Sequence, residues 1–142
     1  MGRKLIGSVG LAIAGGTPSP YTRTTSFVIA CSDETTALTT GTKVTFRLPY
    51  AYTITEVRAS LTTAGTGANL VTLDFEQNDT SILSTKITID ASELTSTTAA
   101  TPPVILTSAL TDDASIDCDV DQIDSDGASK GLKMYLIGYK TL

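Results

Sequence analysis

Apolar and polar residues alternate through most of the stretch from Thr42 to Phe75. Alternate side chains of a strand point to opposite faces, so this pattern predicts strands with one buried face. Three successive strands are predicted, Thr42–Tyr50, Thr53–Ala64 and Asn69–Asp79, and a glycine-containing turn joins the last two. The side chains predicted to face the core are Val44, Phe46, Leu48, Val57, Ala59, Leu61, Val71, Leu73 and Phe75.

The remainder of the chain also predicts strands. Threonine, which is β-branched and favours strands, occurs 26 times in 142 residues. Turn residues separate the predicted segments, as at Asn78 and Asp79, where a turn is expected. A short helical turn is expected near Ser92–Leu94. We therefore predict an all-β protein, a jelly-roll-like two-sheet β-sandwich of about eight strands, with an immunoglobulin-like sandwich as the alternative. The five further strands are Thr24–Ser32, Ser81–Asp90, Pro103–Ser108, Asp112–Asp124 and Gly131–Lys140.

Charge and composition exclude several functions. The net charge is −5, and the ten basic residues are scattered apart from Arg3 and Lys4, which argues against a nucleic-acid partner. The chain has no histidine, the commonest general base and metal ligand at neutral pH. The sequence thus predicts a non-enzymatic protein without a cofactor.

The first 20 residues differ from the rest, so we divide the chain into an extended arm, 1–20, and a sandwich domain, 21–142. The arm has a basic start, an apolar run from Leu5 to Ala14 and a Gly- and Pro-rich end. A secretory signal peptide, an arm that packs on a neighbouring chain and an extra edge strand on its own domain are all compatible with it. A transmembrane helix is not, because it needs about 20 apolar residues, so no membrane partner is expected.

Several residues are predicted to contact another chain. Tyr50 and Tyr52 flank Ala51 at a strand end, where tyrosines serve interfaces or cap a core. The predicted interface residues are Arg3, Lys4, Leu5, Ile6, Leu11, Ile13, Tyr50 and Tyr52.

Two further features attract chemical interpretations. Cys31 and Cys118 fall at apolar-facing positions of predicted strands, which favours small buried hydrophobes and leaves their pairing open. Asp117, Asp119 and Asp121 alternate with apolar residues and are predicted to share one face. That face is interpreted as a solvated negative surface that blunts a sheet edge. The alternatives are a patch that binds a basic partner, such as Arg3 and Lys4 of a neighbouring copy, and a weak cation site completed by Asp124 and Asp126.

Two stretches carry a family resemblance. They are TGTKVTFRLPYAYTITEVRASLTTA, from Thr40 to Ala64, and TSILSTKITIDASELTSTTAATPPVI, from Thr80 to Ile105. They resemble a domain that recurs in virion proteins of tailed bacteriophages. The resemblance implies a β-sandwich, usually trimeric, on the particle surface, and it assigns no catalytic or ligand residue.

The resemblance leads to two expected roles. The first is a capsid decoration (cement) protein, a homotrimer that binds the major capsid protein and braces the head shell through the arm. The second is a short fibre or receptor-binding tip that contacts a host surface glycan. A single domain with a 20-residue arm and no stalk favours the first. Both place the protein on the outer surface of the virion after assembly in the host cytoplasm. A secreted lectin-like or enzymatic sandwich is the third class.

Overall fold

The structure is a computed structural model that describes residues 23–142. Eleven β-strands and one 3-10 turn make up its regular elements, which confirms the prediction of an all-β fold. The arm, residues 1–20, lies outside the described residues. The strands are β1 (Thr25–Ala30), β2 (Gly41–Arg47), β3 (Tyr52–Ser60), β4 (Val71–Gln77), β5 (Thr80–Ser81), β6 (Leu83–Thr85), β7 (Ile87–Ile89), β8 (Val104–Ile105), β9 (Ala109–Leu110), β10 (Ser115–Gln122) and β11 (Lys133–Lys140).

Two antiparallel sheets form a sandwich. Sheet A has the strand order β1-β11-β3-β9. Sheet B has the order β2-β10-β4-β5, and β7 also pairs with β4. β6 and β8 form a separate two-stranded ribbon. The connectivity of a jelly roll stays a prediction.

The core lies between the sheets and contains most of the predicted side chains. Leu73 and Phe75 of β4 meet Ile116 and Cys118 of β10, and all four are fully buried. Met134 and Leu136 of β11 are also fully buried. The period-two alternation thus identified the inward positions of β4 and the inward position of Cys118 in β10.

A β-bulge in β3 shifts the alternation. Ile137 pairs with Glu56 and Gly138 with Ile54, so Thr55 is the extra residue. Tyr52 and Ile54 before the bulge and Val57 after it therefore face the same core. The alternation predicted Val57 and the inward positions after it but not Ile54, because a bulge changes the phase of the alternation.

The predicted strand Ser81–Asp90 is wrong as a single element. It consists of β5, β6 and β7. Ile82 and Leu83 are both buried, which a regular strand with one buried face does not allow. β5 and β7 pair with β4 in sheet B, whereas β6 pairs with β8. The chain therefore leaves sheet B after β5 and returns to it at β7.

Two other local predictions need correction, and one is confirmed. The predicted strand Pro103–Ser108 is reduced to β8, and β9 follows it as a separate strand. The helical turn lies at Ser96–Thr98, not at Ser92–Leu94, because the Thr95 hydroxyl accepts a hydrogen bond from the Thr97 amide and caps it. The turn at Asn78 and Asp79 is confirmed: both have positive φ and join β4 to β5 as a two-residue hairpin loop.

We predict that Gly138→Ala destabilises the sandwich. A Cβ at this position would lie 2.0 Å from the Thr53 carbonyl oxygen, so the two strands would have to move apart at the bulge. Overpacking of this kind costs about 2–3 kcal/mol. Urea unfolding would measure the loss in the free energy of unfolding.

Gly127→Ala is the control for this variant. Its φ is +64° and no atom lies within 4 Å of the added Cβ, so only backbone strain of about 1 kcal/mol is expected. If both variants lowered the free energy of unfolding equally, the close approach of Gly138 to the Thr53 carbonyl would have no energetic role.

Candidate functional site

Five carboxylates gather on the outer surface of sheet B, and we call this group the acidic face. Asp117 of β10 lies opposite Glu76 of β4, and Asp119 lies opposite Asp74. Asp121 joins them because its carboxylate and that of Asp74 bind the same lysine, Lys86. The predicted placement of the three β10 aspartates on one face is therefore confirmed.

Asp74 and Glu76 were not among the residues predicted to form an acidic surface. Both occupy outward positions of the alternation that predicted β4, so the strand itself was a usable signal. They lie beside the β10 aspartates because β4 pairs with β10, a strand about 40 residues later in the chain. The alternation pattern does not show which strands pair. Like charges directly opposite each other destabilise a strand pair, so the acidic face needs compensation.

Lys86 supplies part of that compensation. Its ammonium lies 3.2 Å from Asp74 Oδ2 and 2.5 Å from Asp121 Oδ2. The hydrogen bond to Asp121 is the main reason that the pKa of Lys86 is raised. Ser81 Oγ donates to Asp74 Oδ1 at 2.7 Å, so both oxygens of this carboxylate, which is only 1% exposed, are satisfied.

A proton on Glu76 supplies another part of the compensation for the acidic face. The pKa of Glu76 is raised to about 7, first by the neighbouring Asp119 carboxylate and then by burial and the charges of Asp74 and Asp117. Crowded carboxylates favour the neutral form of one of them, so Glu76 carries a proton below neutral pH.

Asp119 departs from the predicted solvated surface. It is only 8% exposed, and its Oδ1 is buried without a hydrogen-bond partner among the described residues. The interpretation as a solvated face is therefore wrong for Asp119, whereas Asp121 is exposed. The neighbouring strands, whose positions the sequence did not show, bury this carboxylate.

Asp124 and Asp126, proposed above as further cation ligands, are engaged in loop hydrogen bonds. Asp124 is buried and accepts from the Ala128 amide and from Ser129. Asp126 Oδ2 accepts from the Thr66 amide and hydroxyl. Within residues 23–142, no three or more Asp, Glu or Cys side chains form a group that could hold a metal ion. Asp124 thus forms hydrogen bonds within the β10–β11 loop, whereas Asp126 connects this loop to the β3–β4 loop.

An open edge of the sandwich forms a second candidate site, which we call the seam. It consists of β1 and β2, the outer strands of sheets A and B, each with one strand partner within residues 23–142. The rings of Phe27 and Phe46 have centroids 6.2 Å apart, so the two edges lie side by side.

The core is incompletely covered along the seam. Seven apolar side chains pack against the core but stay partly exposed, and five of them belong to β1, β2 or the segment just after β2. Val28, on the opposite side of β1, is 59% exposed. The seam therefore presents apolar surface that this domain does not cover with residues 23–142. The five side chains are Phe27, Ile29, Val44, Phe46 and Tyr50.

The two predicted interface tyrosines have different positions. Tyr52 is 0% exposed, stacks edge-on against Phe27 at 4.9 Å and donates its hydroxyl hydrogen to the Thr25 carbonyl. It caps the core, which is the second of the two roles considered for the tyrosines at this strand end. Tyr50 is half-buried at the seam, with the Lys140 ammonium 5.1 Å from its ring centroid. The other predicted interface residues, Arg3, Lys4, Leu5, Ile6, Leu11 and Ile13, lie outside the described residues.

A third site is a groove of about 650 Å³ along the outer edge of β3. Backbone hydrogen bonds close this edge at both ends: Ile54 N donates to Ser108 O, and Leu61 N donates to Leu94 O. Between them, Thr55 to Arg58 face Ser96, Thr97 and the segment Pro102–Ile105. The groove therefore exposes hydroxyl groups and the Glu56–Arg58 ion pair.

The two cysteines meet between the sheets. Cys31 directly follows β1 in sheet A and Cys118 lies in β10 of sheet B. Both are buried, as predicted, and both are free thiols, which answers the open question of their pairing. The neighbouring thiol is the main cause of the raised pKa of Cys118 and of the lowered pKa of Cys31.

No family model, curated protein or solved structure matches the chain. In the part of the chain that the structure describes, no helix has the length and apolar character to span a membrane.

We predict that the acidic face makes stability depend on pH between about 4.5 and 7. Glu76 has a folded-state pKa of about 7 against 4.5 for the ordinary group. The folded state therefore binds more protons in this window, and the stabilisation present below pH 4.5 is lost as the pH rises through 7. Urea unfolding at a series of pH values should show this decline, and Glu76→Gln should reduce it.

Glu93→Gln is the matched control, because Glu93 is a half-buried carboxylate outside the acidic face. It should keep the wild-type pH dependence. An unchanged decline in Glu76→Gln would contradict the assignment of the proton to Glu76.

Proposed function

We propose that this chain is a non-enzymatic structural protein of a tailed-bacteriophage virion, a capsid decoration (cement) protein. It acts as a homotrimer on the major capsid protein at the outer surface of the head and is assembled in the host cytoplasm. The family resemblance supports this role, and its two stretches contain β2 and β3 and then β5 to β8.

The observation that carries the proposal is the seam. Core-facing side chains such as Phe27 and Phe46 remain partly exposed along two adjacent sheet edges. A subunit that works in an assembly can leave such a surface for a neighbour, whereas a lone domain gains stability by covering it. This favours a structural role among neighbouring copies over a solitary binding module.

The mechanism is multivalent attachment. Each copy presents one arm with two basic residues, Arg3 and Lys4, and an apolar run after them. A trimer presents three such arms to the shell, and linked weak contacts strengthen binding by about 10²–10⁴ over a single contact. The shell is braced because one trimer holds several capsid subunits. No cofactor, nucleic acid or membrane takes part.

A receptor-binding fibre tip is the second candidate, and the groove favours it. The hydroxyls of Thr55 and Thr97 and the Arg58 guanidinium could hydrogen-bond a host surface glycan. Glycan-array binding that is lost in Arg58→Ala and kept in Arg47→Ala, another exposed arginine, would support this role.

We predict that deletion of Met1 to Pro20 abolishes attachment to emptied capsids while the sandwich stays folded. Loss of all three arms removes the multivalent contact, so the apparent affinity should fall at least about 100-fold. Co-sedimentation with capsids measures attachment, and circular dichroism with urea unfolding measures the fold.

Lys130→Ala is the control, since it removes one positive charge from the β10–β11 loop, outside both the arm and the seam, and keeps the backbone hydrogen bonds of that residue to Thr62 and Thr63. It should attach like the wild type. Full attachment of the arm-deleted protein would overturn the assigned role of the arm, and a low copy number in purified virions would favour the fibre.

A further inference from the structure

The arm contains a segment with the pattern of an edge strand. Val9, Leu11 and Ile13 alternate with Gly10, Ala12 and Ala14. In an extended chain the three large side chains share one face and the three small residues share the other. Such a segment offers an apolar face to a core and leaves little apolar surface on the solvent side.

The seam has a free backbone edge and exposed apolar side chains, which such a segment could cover. β1 is six residues long, and its outer edge has no strand partner among residues 23–142, so its backbone groups can accept an added strand. Beside that edge, the side chains of Phe27 and Phe46 are only partly covered. A strand next to β1 with three large side chains turned inward would cover them and extend sheet A by one strand.

We propose that residues 9–14 of one copy bind the seam of a neighbouring copy as an added strand beside β1. The seam is thus the contact between copies, and the arm is the element exchanged. This inference rests on the trimer of the proposed function and names the surface that holds it together. Arg3 and Lys4 precede the exchanged segment and are left to the shell.

The length and composition of the connection favour exchange over a strand on the same copy. Ten residues, 15 to 24, separate the segment from β1, whereas hairpin loops have about two to five residues. Thr17-Pro18-Ser19-Pro20 favours an extended chain of about 3.1 Å per residue, which leads away from β1 instead of folding back along it.

Charge favours the contact as well. The arm has two basic residues and no acidic residue, whereas all 15 acidic residues lie at Asp33 or later. Attraction between the arm and the body of a second copy therefore accelerates their encounter, most strongly at low salt.

Cysteine cross-linking of the full-length protein tests the proposal without capsids. One population carries Ala12→Cys, on the small-residue face of the segment, and a second, differently tagged population carries Val28→Cys, on the exposed side of β1. Both positions face solvent in the proposed pairing, so neither change disturbs the core. The native Cys31 and Cys118 are buried. After mixing and oxidation with copper phenanthroline, covalent dimers that carry both tags are expected on non-reducing gels.

Two further variants make the result specific. Leu106→Cys, an exposed position (68%) after β8, replaces Val28→Cys as the control and should give at most a tenth of the dimer yield. Leu11→Ser added to the Ala12→Cys chain should reduce the yield about tenfold, because it removes an apolar side chain turned toward the seam.

The alternatives give different results. A chain carrying both Ala12→Cys and Val28→Cys that forms only an intramolecular cross-link would place the arm on its own domain and overturn the exchange. Yields equal to those of the Leu106→Cys control would overturn binding at the seam altogether. Either result leaves the capsid attachment test unaffected, so failure here and failure of the proposed function are distinguishable.

Discussion

The pairing of the last two long strands with strands from the first half of the chain is the constraint on which the structure depends. β11 lies between β1 and β3, and β10 lies between β2 and β4. All four long pairings therefore involve a partner from the end of the chain, and neither sheet is complete until that end arrives. Closing such long loops is entropically costly and makes folding slow for topologies of this kind. The core between the sheets offsets that cost once both central strands are in place.

The same pairing creates the acidic face. β10 brings three aspartates beside the carboxylates of β4, which is unfavourable in itself. Lys86 forms ion pairs with two of these carboxylates, and the raised pKa of Glu76, which keeps a proton on it below neutral pH, compensates further. The unpartnered Oδ1 of Asp119 shows where compensation is least complete within the described residues. An arrangement that costs stability at neutral pH is a departure from an optimal sheet, and departures of this kind concentrate at sites under functional constraint.

The central positions of β10 and β11 also explain the seam. Because these strands fill the middle of each sheet, β1 and β2 are left as outer strands on the same side of the sandwich. Natural sandwiches protect such edges with charges, bulges, short strands or a covering segment. Here β1 carries apolar residues on both sides, with Val28 exposed and Phe27 half-buried. Coverage by an arm from another copy would supply the protection.

The sequence by itself determined the fold class, the long strands and most of the core. Alternation is a local property of the chain, so positions such as Leu73, Phe75 and Cys118 could be assigned to the interior without knowledge of their partners. The hairpin at Asn78 and Asp79 was equally local. Tertiary structure decided what depends on strand pairing. The bulge at Thr55 turns Tyr52 inward, and residues 80–89 form short strands that pair partly with β4 and partly with β8. Pairing also buries Asp119 beside Glu76. Register between strands 40 to 90 residues apart is set by the packing of the whole core, and no short stretch of sequence contains it.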